Sequence, residues 1–424
     1  MKFNALHLPD EIQRAIDDLE FTELTAVQEA ALPVALSGRD VAGQGRTGTG
    51  KTAAFLITIL THILTHKERR GRKENHPRAL IIAPTRELVG QIFQDAQKLS
   101  KYTDCKLHAV FGGVDYEKQR NAFAQGVDIL IGTPGRLIDY LKQNCYSLKL
   151  CEILVVDEAD RMFDLGFIKD LRFMMRRLPR YNERQAMLFS ATLSHRVLEL
   201  AYEHMNDPVQ LRAEEGDITA TGVEESLYHT AMDSKFPLLV TLLQKNSVER
   251  GMIFINEKRT GEKLARGLAR YGFTVGILSG DVRQKKRIRI LADFTSGKLH
   301  LLVATDVASR GLHIDDVSHV FNYDLPEDAQ DYVHRIGRTA RAGKKGVAIS
   351  FACERFCFGL PDIEAYISHV IPMPDWDPGS LDVGKPTHPD AIADGLKKED
   401  KAQTRDSGKG SGPKSRPRRG RGRH

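Results

Sequence analysis

Residues 45–52 read GRTGTGKT, which fits the spacing G-x-x-x-x-G-K-[ST]. Gly45, Gly48 and Gly50 let the backbone curl, so that successive N–H groups along Arg46, Thr47 and Thr49 point inward at an anion. A helix opening at Thr52 would turn its positive end toward the same anion. Lys51 brings a cation to β- and γ-phosphates, and the Thr52 hydroxyl can ligate Mg2+. Taken alone, such a run is also compatible with an ordinary Gly-rich turn. A second cluster makes that reading poor. The acids Asp157, Glu158 and Asp160 follow the apolar run ILVV at 153–156. Asp157 therefore leaves the C-terminal end of a buried strand, where ligands bind in open parallel sheets. A carboxylate there holds Mg2+, partly through water, and Glu158 can orient or deprotonate an attacking water. Loop and acids together imply hydrolysis of a nucleoside triphosphate.

These groups need elements to hold them. In the first half, short continuous apolar runs occur at 79–83, 127–131, 153–156 and 187–189. Each fits a strand buried on both faces of a parallel sheet. Segments with helical spacing, such as 86–98, lie between them, which implies right-handed βαβ crossovers. A second series runs at 252–255, 275–278, 299–304, 317–321 and 347–351. The fold class expected is α/β, two tandem parallel-sheet domains. The boundaries read as a first domain over 1–213, a linker over 214–222 and a second domain over 223–372. A Pro-rich extension over 373–394 follows, then a basic tail over 395–424 whose Gly/Lys/Arg/Ser composition cannot bury a core and should be disordered.

Charge is informative once located. The 424 residues carry a net charge of +6. From Gly395 on there are eleven Lys/Arg against three acids, a net of +8, which leaves −2 for residues 1–394. The excess positive charge is thus an appendage. A hydrophobic fraction of 41% supports ordinary cores and excludes a wholly disordered chain. No apolar run approaches the ~20 residues of a membrane span. Asp10, Glu11, Asp17, Asp18 and Glu20 stand where a signal peptide would have its apolar core. The scattered cysteines Cys105, Cys145, Cys151, Cys353 and Cys357 read as reduced packing residues without zinc-site spacing. A cytoplasmic protein is expected.

The chain resembles the DEAD-box RNA helicase family over about residues 3–372. The resemblance rests on Gln28 with Phe3 upstream, the 45–52 loop, PTREL at 84–88, Gly112 with Gly113, TPGR at 133–136, DEAD at 157–160 and SAT at 190–192. In the second half it rests on IFIN at 253–256, QKKR at 284–287, ATDVASRG at 304–311 and HRIGRTAR at 334–341. Within the family, segments 164–170, 280–282, 310–314 and 353–371 are most similar to the bacterial degradosome branch. The fold implied is two RecA-like domains, with ATP and RNA bound across the cleft between them. Arg338 and Arg341 would be arginine fingers on the γ-phosphate, and Arg335 an internal support. Gln28 would read the adenine edge, since a carboxamide offers one acceptor and one donor, and Phe3 would stack on the base. Three departures stand out. Glu20, Leu24 and Ala26 replace the usual Gly and prolines around Gln28, Arg46 replaces a usual Gln, and His313 replaces an acid that contacts ribose in many relatives.

The same resemblance implies RNA contacts from Thr85, Arg86, Gly113, Thr133 and Arg136 in the first domain and from Gln284, Arg287 and Thr305 in the second. Such groups suit phosphates, so binding should be largely independent of sequence. Ser190, Thr192 and Asp160 would couple domain closure to the nucleotide site. The function implied is an RNA-dependent ATPase that locally separates RNA duplexes, in mRNA turnover. Alternatives are a slow-turnover ATP-dependent RNA clamp within a ribonuclease complex, and a DNA-directed ATPase of the same architecture. The cofactors implied are ATP and Mg2+, the partners RNA and the ribonuclease RNase E, and the state a monomer. The tail resembles a polybasic RNA tether.

Overall fold

Short runs of Val, Ile, Leu and Ala that are apolar at every position can be strands only if both faces are covered. The computed structural model bears this out. It describes residues 1–45, 48–212, 222–246, 248–279, 282, 284–309, 314, 317–340, 345–377, 379, 381, 383–388, 391, 393, 394 and 396, without the side chains of 284, 285 and 307. The expected roles of Arg46, Thr47, His313, Arg341, the Gln284 side chain, linker residues 214–221 and the tail from 397 lie outside the described residues.

The first sheet is built from β1 (Val41–Gln44), β2 (Ala79–Ile82), β3 (Leu107–Val110), β4 (Ile129–Gly132), β5 (Ile153–Val156), β6 (Gln185–Ser190) and β7 (Val209–Arg212). Their spatial order is β3-β4-β2-β5-β6-β1-β7, with every pairing parallel. Two apolar layers cover its faces. One holds Phe55, Leu56, Ile81 and Phe189, the other Leu80, Leu130, Met162 and Leu188. Alternate residues of one strand point to opposite layers, as the pleat requires.

The second sheet contains β8 (Val223–His229), β9 (Gly251–Phe254), β10 (Val275–Leu278), β11 (Leu301–Ala304), β12 (His319–Asn322) and β13 (Gly346–Ala352). Its order is β10-β11-β9-β12-β13-β8, again all parallel.

The Pro-rich stretch after residue 372 is part of this domain. Asp394 donates to the Val275 carbonyl at 3.0 Å, and Ile277 donates to the Asp394 carbonyl at 2.9 Å. Trp376 meets Tyr228 edge-on at 5.9 Å, and Ala393 is buried in the domain core. The segment thus covers the outer edge of β10, whose unpaired backbone would otherwise be a template for another chain.

Candidate functional site

Strand order alone divides the C-terminal edge of the first sheet into two halves. The neighbours β5, β6 and β1 end at Asp157, Ser190 and Gly45. The neighbours β2, β4 and β3 lead into Thr85, Thr133 and Gly113. The residues expected on nucleotide and those expected on RNA therefore stand side by side along one edge.

Gly50 caps the helix Lys51–Thr65 with φ +87°, a left-handed conformation that glycine adopts without strain. A Cβ there would also lie 2.5 Å from Nε2 of Gln28. Lys51, at the first helical position, reaches back to the Gly45 carbonyl and is buried. Its ammonium thereby spans the mouth of the loop.

Gln28 is held by a capping box that starts the helix Ala26–Leu36. Its Oε1 accepts from Thr25 N at 2.9 Å, while Thr25 Oγ1 accepts from Gln28 N at 3.3 Å. Such a cap contributes about 1 kcal/mol. Nε2 of Gln28 donates to the Gly50 carbonyl at 3.1 Å, and Thr25 Oγ1 donates to the Thr49 carbonyl at 2.7 Å. Gln28 thus braces the phosphate loop. Phe3 departs further from the expectation. Its ring is 2% exposed and stacks on Phe21 at 6.1 Å, and Phe21 is the exposed member of the pair.

Asp157 and Glu158 are both buried. Asp157 Oδ1 accepts from Glu158 N at 2.9 Å, and Glu158 has φ +52°. A non-glycine residue in that region is strained, as residues at functional sites often are. Burial pushes the Asp157 carboxyl up to about 6, against the pull of Lys51 and with the charge of Glu158 adding to the rise. Oε2 of Glu158 is enclosed without a hydrogen bond and lies 3.5 Å from Nε of Arg161, itself buried. A desolvated carboxylate beside Lys51 and an unsatisfied one next to it fit a divalent cation and a reacting water.

Asp160 ties this strand end to the next. Its Oδ2 accepts from Ala191 N at 3.1 Å and Thr192 N at 3.2 Å, while Asp160 N donates to Ser190 Oγ at 3.2 Å. All three residues expected to couple closure to the nucleotide thus meet.

On the other half of the edge, Thr85 Oγ1 caps its helix at Leu88 N, and the Arg86 guanidinium lies against Gly112. Arg136 sits 4.8 Å over the Tyr116 ring and donates to Tyr140 Oη at 3.1 Å. Arg287, expected on RNA, instead pairs with Glu87 of the first domain and donates to the Ala308 carbonyl. Glu87 went unassigned in the sequence although it lies inside the 84–88 motif; the excess of a carboxylate over what phosphate binding needs was the available signal. Thr305 caps the turn at Ala308 N at 3.4 Å. Arg335 is 1% exposed and forms a bidentate pair with Asp306 at 2.7 and 2.6 Å, which suits an internal support. Arg335 lies in the last turn of the helix Ala329–Ile336, and Arg338 is buried just beyond its end.

The model of the DEAD/DEAH box helicase family matches residues 25–200, and that of the helicase conserved C-terminal domain matches 234–343. The chain is 56% identical over 372 residues to the ATP-dependent RNA helicase RhlB of Xanthomonas oryzae pv. oryzae, covering 88% of this chain and 65% of that one. It therefore spans just under two thirds of that relative's length. It is 53% identical over 380 residues to the ATP-dependent RNA helicase RhlB of a Shewanella species, covering 90% of this chain and 87% of that one. Among solved structures it is similar to S. cerevisiae Dbp5 bound to RNA and ADP BeF3, with a TM-score of 0.75, 32% identity, and 88% and 94% of the two chains covered. That likeness makes the two parallel-sheet domains RecA-like.

Proposed function

The chain belongs to the DEAD/DEAH box helicase family, and on that premise we propose that it is an ATP-dependent RNA helicase, hydrolysing ATP on binding RNA and separating short duplexes locally. The observation that carries the reading is the division of one sheet edge. Lys51, Asp157, Glu158 and Ser190 occupy one half, and Thr85, Gly113, Thr133 and Arg136 the other. The second domain reaches that edge through the Arg287–Glu87 pair. The RNA and ADP BeF3 bound to the S. cerevisiae neighbour, and the ATP-dependent RNA helicases among the relatives, support the same reading.

In this reading the loop N–H groups and Lys51 hold the β- and γ-phosphates of ATP. Gln28 keeps the loop in shape and reads the adenine edge. Thr52 and Asp157 would hold Mg2+, partly through water, and the ion would supply positive charge against the phosphates. Glu158 accepts a proton from the attacking water, and Arg338 and Arg341 neutralise charge on the phosphoryl group when the domains are together. Phosphate contacts from Arg86, Arg136, Gln284 and Thr305 grip RNA without regard to sequence. Since ATP and RNA both favour the closed pair of domains, each raises the affinity for the other. A bent strand in the closed groove cannot keep a continuous partner, so the duplex opens locally, and loss of the γ-phosphate releases it.

The test is strand separation of a short RNA duplex. It should require ATP and Mg2+ and vanish in Lys51→Ala. Displacement without ATP, or by Lys51→Ala, would refute the reading.

We further propose a monomeric cytoplasmic protein that works with a ribonuclease such as RNase E, as the degradosome resemblance implies. Among the described residues no helix is long and apolar enough to cross a membrane. Binding of purified RNase E is the test of that partner. The basic tail acts as an RNA tether. Truncation after Leu396 should weaken RNA binding and flatten its salt dependence, because each phosphate contact releases counterions; unchanged affinity would dismiss it.

A further inference from the structure

The second domain contains a buried ion pair that the reading above does not use. Lys235 opens the helix Lys235–Lys245 and is 1% exposed. Its ammonium donates to Oδ1 of Asp324, which is equally buried. The Tyr323 and Phe356 rings lie 4.4 and 5.2 Å from Nζ, and Cys353 Sγ lies 3.8 Å from it. A pair this deep is a poor source of stability, because desolvation offsets most of the attraction.

Its connections lead elsewhere. Asp324 stands just beyond β12, Asn256 just beyond β9 and Asp306 just beyond β11, three adjacent strands. Asp324 Oδ2 accepts from Asn256 N at 3.0 Å, and Asn256 Nδ2 donates to the Leu325 carbonyl at 2.8 Å. Arg335 is clamped by all three ends. It donates to Asn256 Oδ1 at 2.8 Å, to the Asp324 carbonyl, and to both carboxylate oxygens of Asp306. Arg335 lies in the last turn of the helix Ala329–Ile336, and Arg338 N bonds back to its carbonyl at 3.1 Å. Lys235 thus anchors the carboxylate that organises two of the three groups holding Arg335.

We propose that Lys235 is a positioning residue for ATP hydrolysis. Through Asp324 and Asn256 it fixes Arg335, and so the backbone that presents Arg338 to the nucleotide. The inference deepens the helicase reading and rests on it.

The test is a double-mutant cycle on the full chain with Lys235→Met, Asn256→Ala and the pair combined. Turnover is measured at saturating single-stranded RNA and corrected by the folded fraction of the second domain, read from the fluorescence of Trp376, the chain's one tryptophan, which packs on Tyr228 of that domain. Each single change should lower RNA-stimulated kcat about tenfold with KM for ATP little altered, and the pair should also fall about tenfold, because two members of one relay are not additive. A purely structural role would give losses that follow the folded fraction and vanish on correction, or that multiply to about a hundredfold, and either result overturns the proposal. If Lys235→Met does not fold, Lys235→Met with Asp324→Asn removes the uncompensated buried charge and takes its place in the cycle. A wild type without RNA-stimulated turnover refutes the parent reading. A normal wild type with unaffected variants refutes the relay alone.

Discussion

The Asp160 carboxylate accepts the backbone N–H of Thr192 at 3.2 Å, and so joins the segment after β5 to the segment after β6. The same oxygen also accepts from Ala191 N at 3.1 Å. A carboxylate satisfies two donors with one oxygen, and a carboxamide does so less well because it carries no charge. Asp160→Asn should therefore loosen the 190–192 segment while leaving Lys51 and Asp157 in place. The expected outcome is ADP affinity near wild type with RNA-stimulated kcat lowered about tenfold or more, as for loss of charge-assisted hydrogen bonds. Equal losses in both would argue that Asp160 only supports the fold.

Glu158 is strained, enclosed and unsatisfied at Oε2, which suits a proton acceptor better than a structural acid. Glu158→Gln keeps the shape and removes the basicity. ATP and RNA should still bind together, and turnover should fall by about two to four orders of magnitude, the usual contribution of a general base. Rapid RNA-stimulated hydrolysis by this variant would remove Glu158 from the mechanism.

The Glu87–Arg287 pair bridges the two domains. Reversing one charge places like charges where the domains meet, at a cost much larger than that of a rim contact. Glu87→Arg and Arg287→Glu should each weaken the cooperativity of ATP and RNA binding by about tenfold, with basal ATP affinity unchanged, and the double swap should recover part of it. Titrating RNA with and without a nonhydrolysable ATP analogue reads this directly. No recovery in the double swap would mean that Arg287 acts on RNA itself.

Far from the site, Arg78 and His62 both bond the Glu152 carboxylate, at 2.8 to 2.9 Å and 2.7 Å. Burial alone would raise its pKa; the bonds from His62 and Arg78 overcome that and hold it at about 2, against an ordinary 4.5. A depressed carboxyl stabilises the fold fully above the unfolded value, and the gain is lost as pH falls from about 4.5 toward 2. Glu152→Gln should lower stability by about 3 kcal/mol at pH 7. The gap to wild type in urea midpoint should narrow steadily between pH 4.5 and pH 3. A gap independent of pH would assign the loss to packing.

What the sequence made legible divides by the kind of signal. Buried strands such as β2 and β5 are continuous apolar runs and could be read at once. The strand β1, VAGQ, is as long as β2 and β5 but carries a glycine and a polar end, and is implied only by the loop it feeds. The edge strands β7 (VQLR) and β8 (VEESLYH) mix polar and apolar residues and are only partly buried, so neither offers an apolar run to find. The phosphate loop and the acids of β5 were readable because their chemistry is local. The Arg287–Glu87 pair was not, because it joins residues of two domains and its arginine equally suits a phosphate. Phe3 was misplaced for a related reason: nothing in a sequence tells which of two nearby aromatics, Phe3 or Phe21, is covered by the other. The pairing of Asp394 with β10 depends on an exposed strand edge that composition does not reveal.

The central claim is that RNA completes the hydrolytic site. It is tested most directly by ATP hydrolysis measured with and without single-stranded RNA, with DNA of the same sequence as control. The account predicts strong stimulation by RNA and little by DNA. Equal stimulation by both would favour the DNA-directed alternative, and hydrolysis indifferent to either would contradict the claim outright.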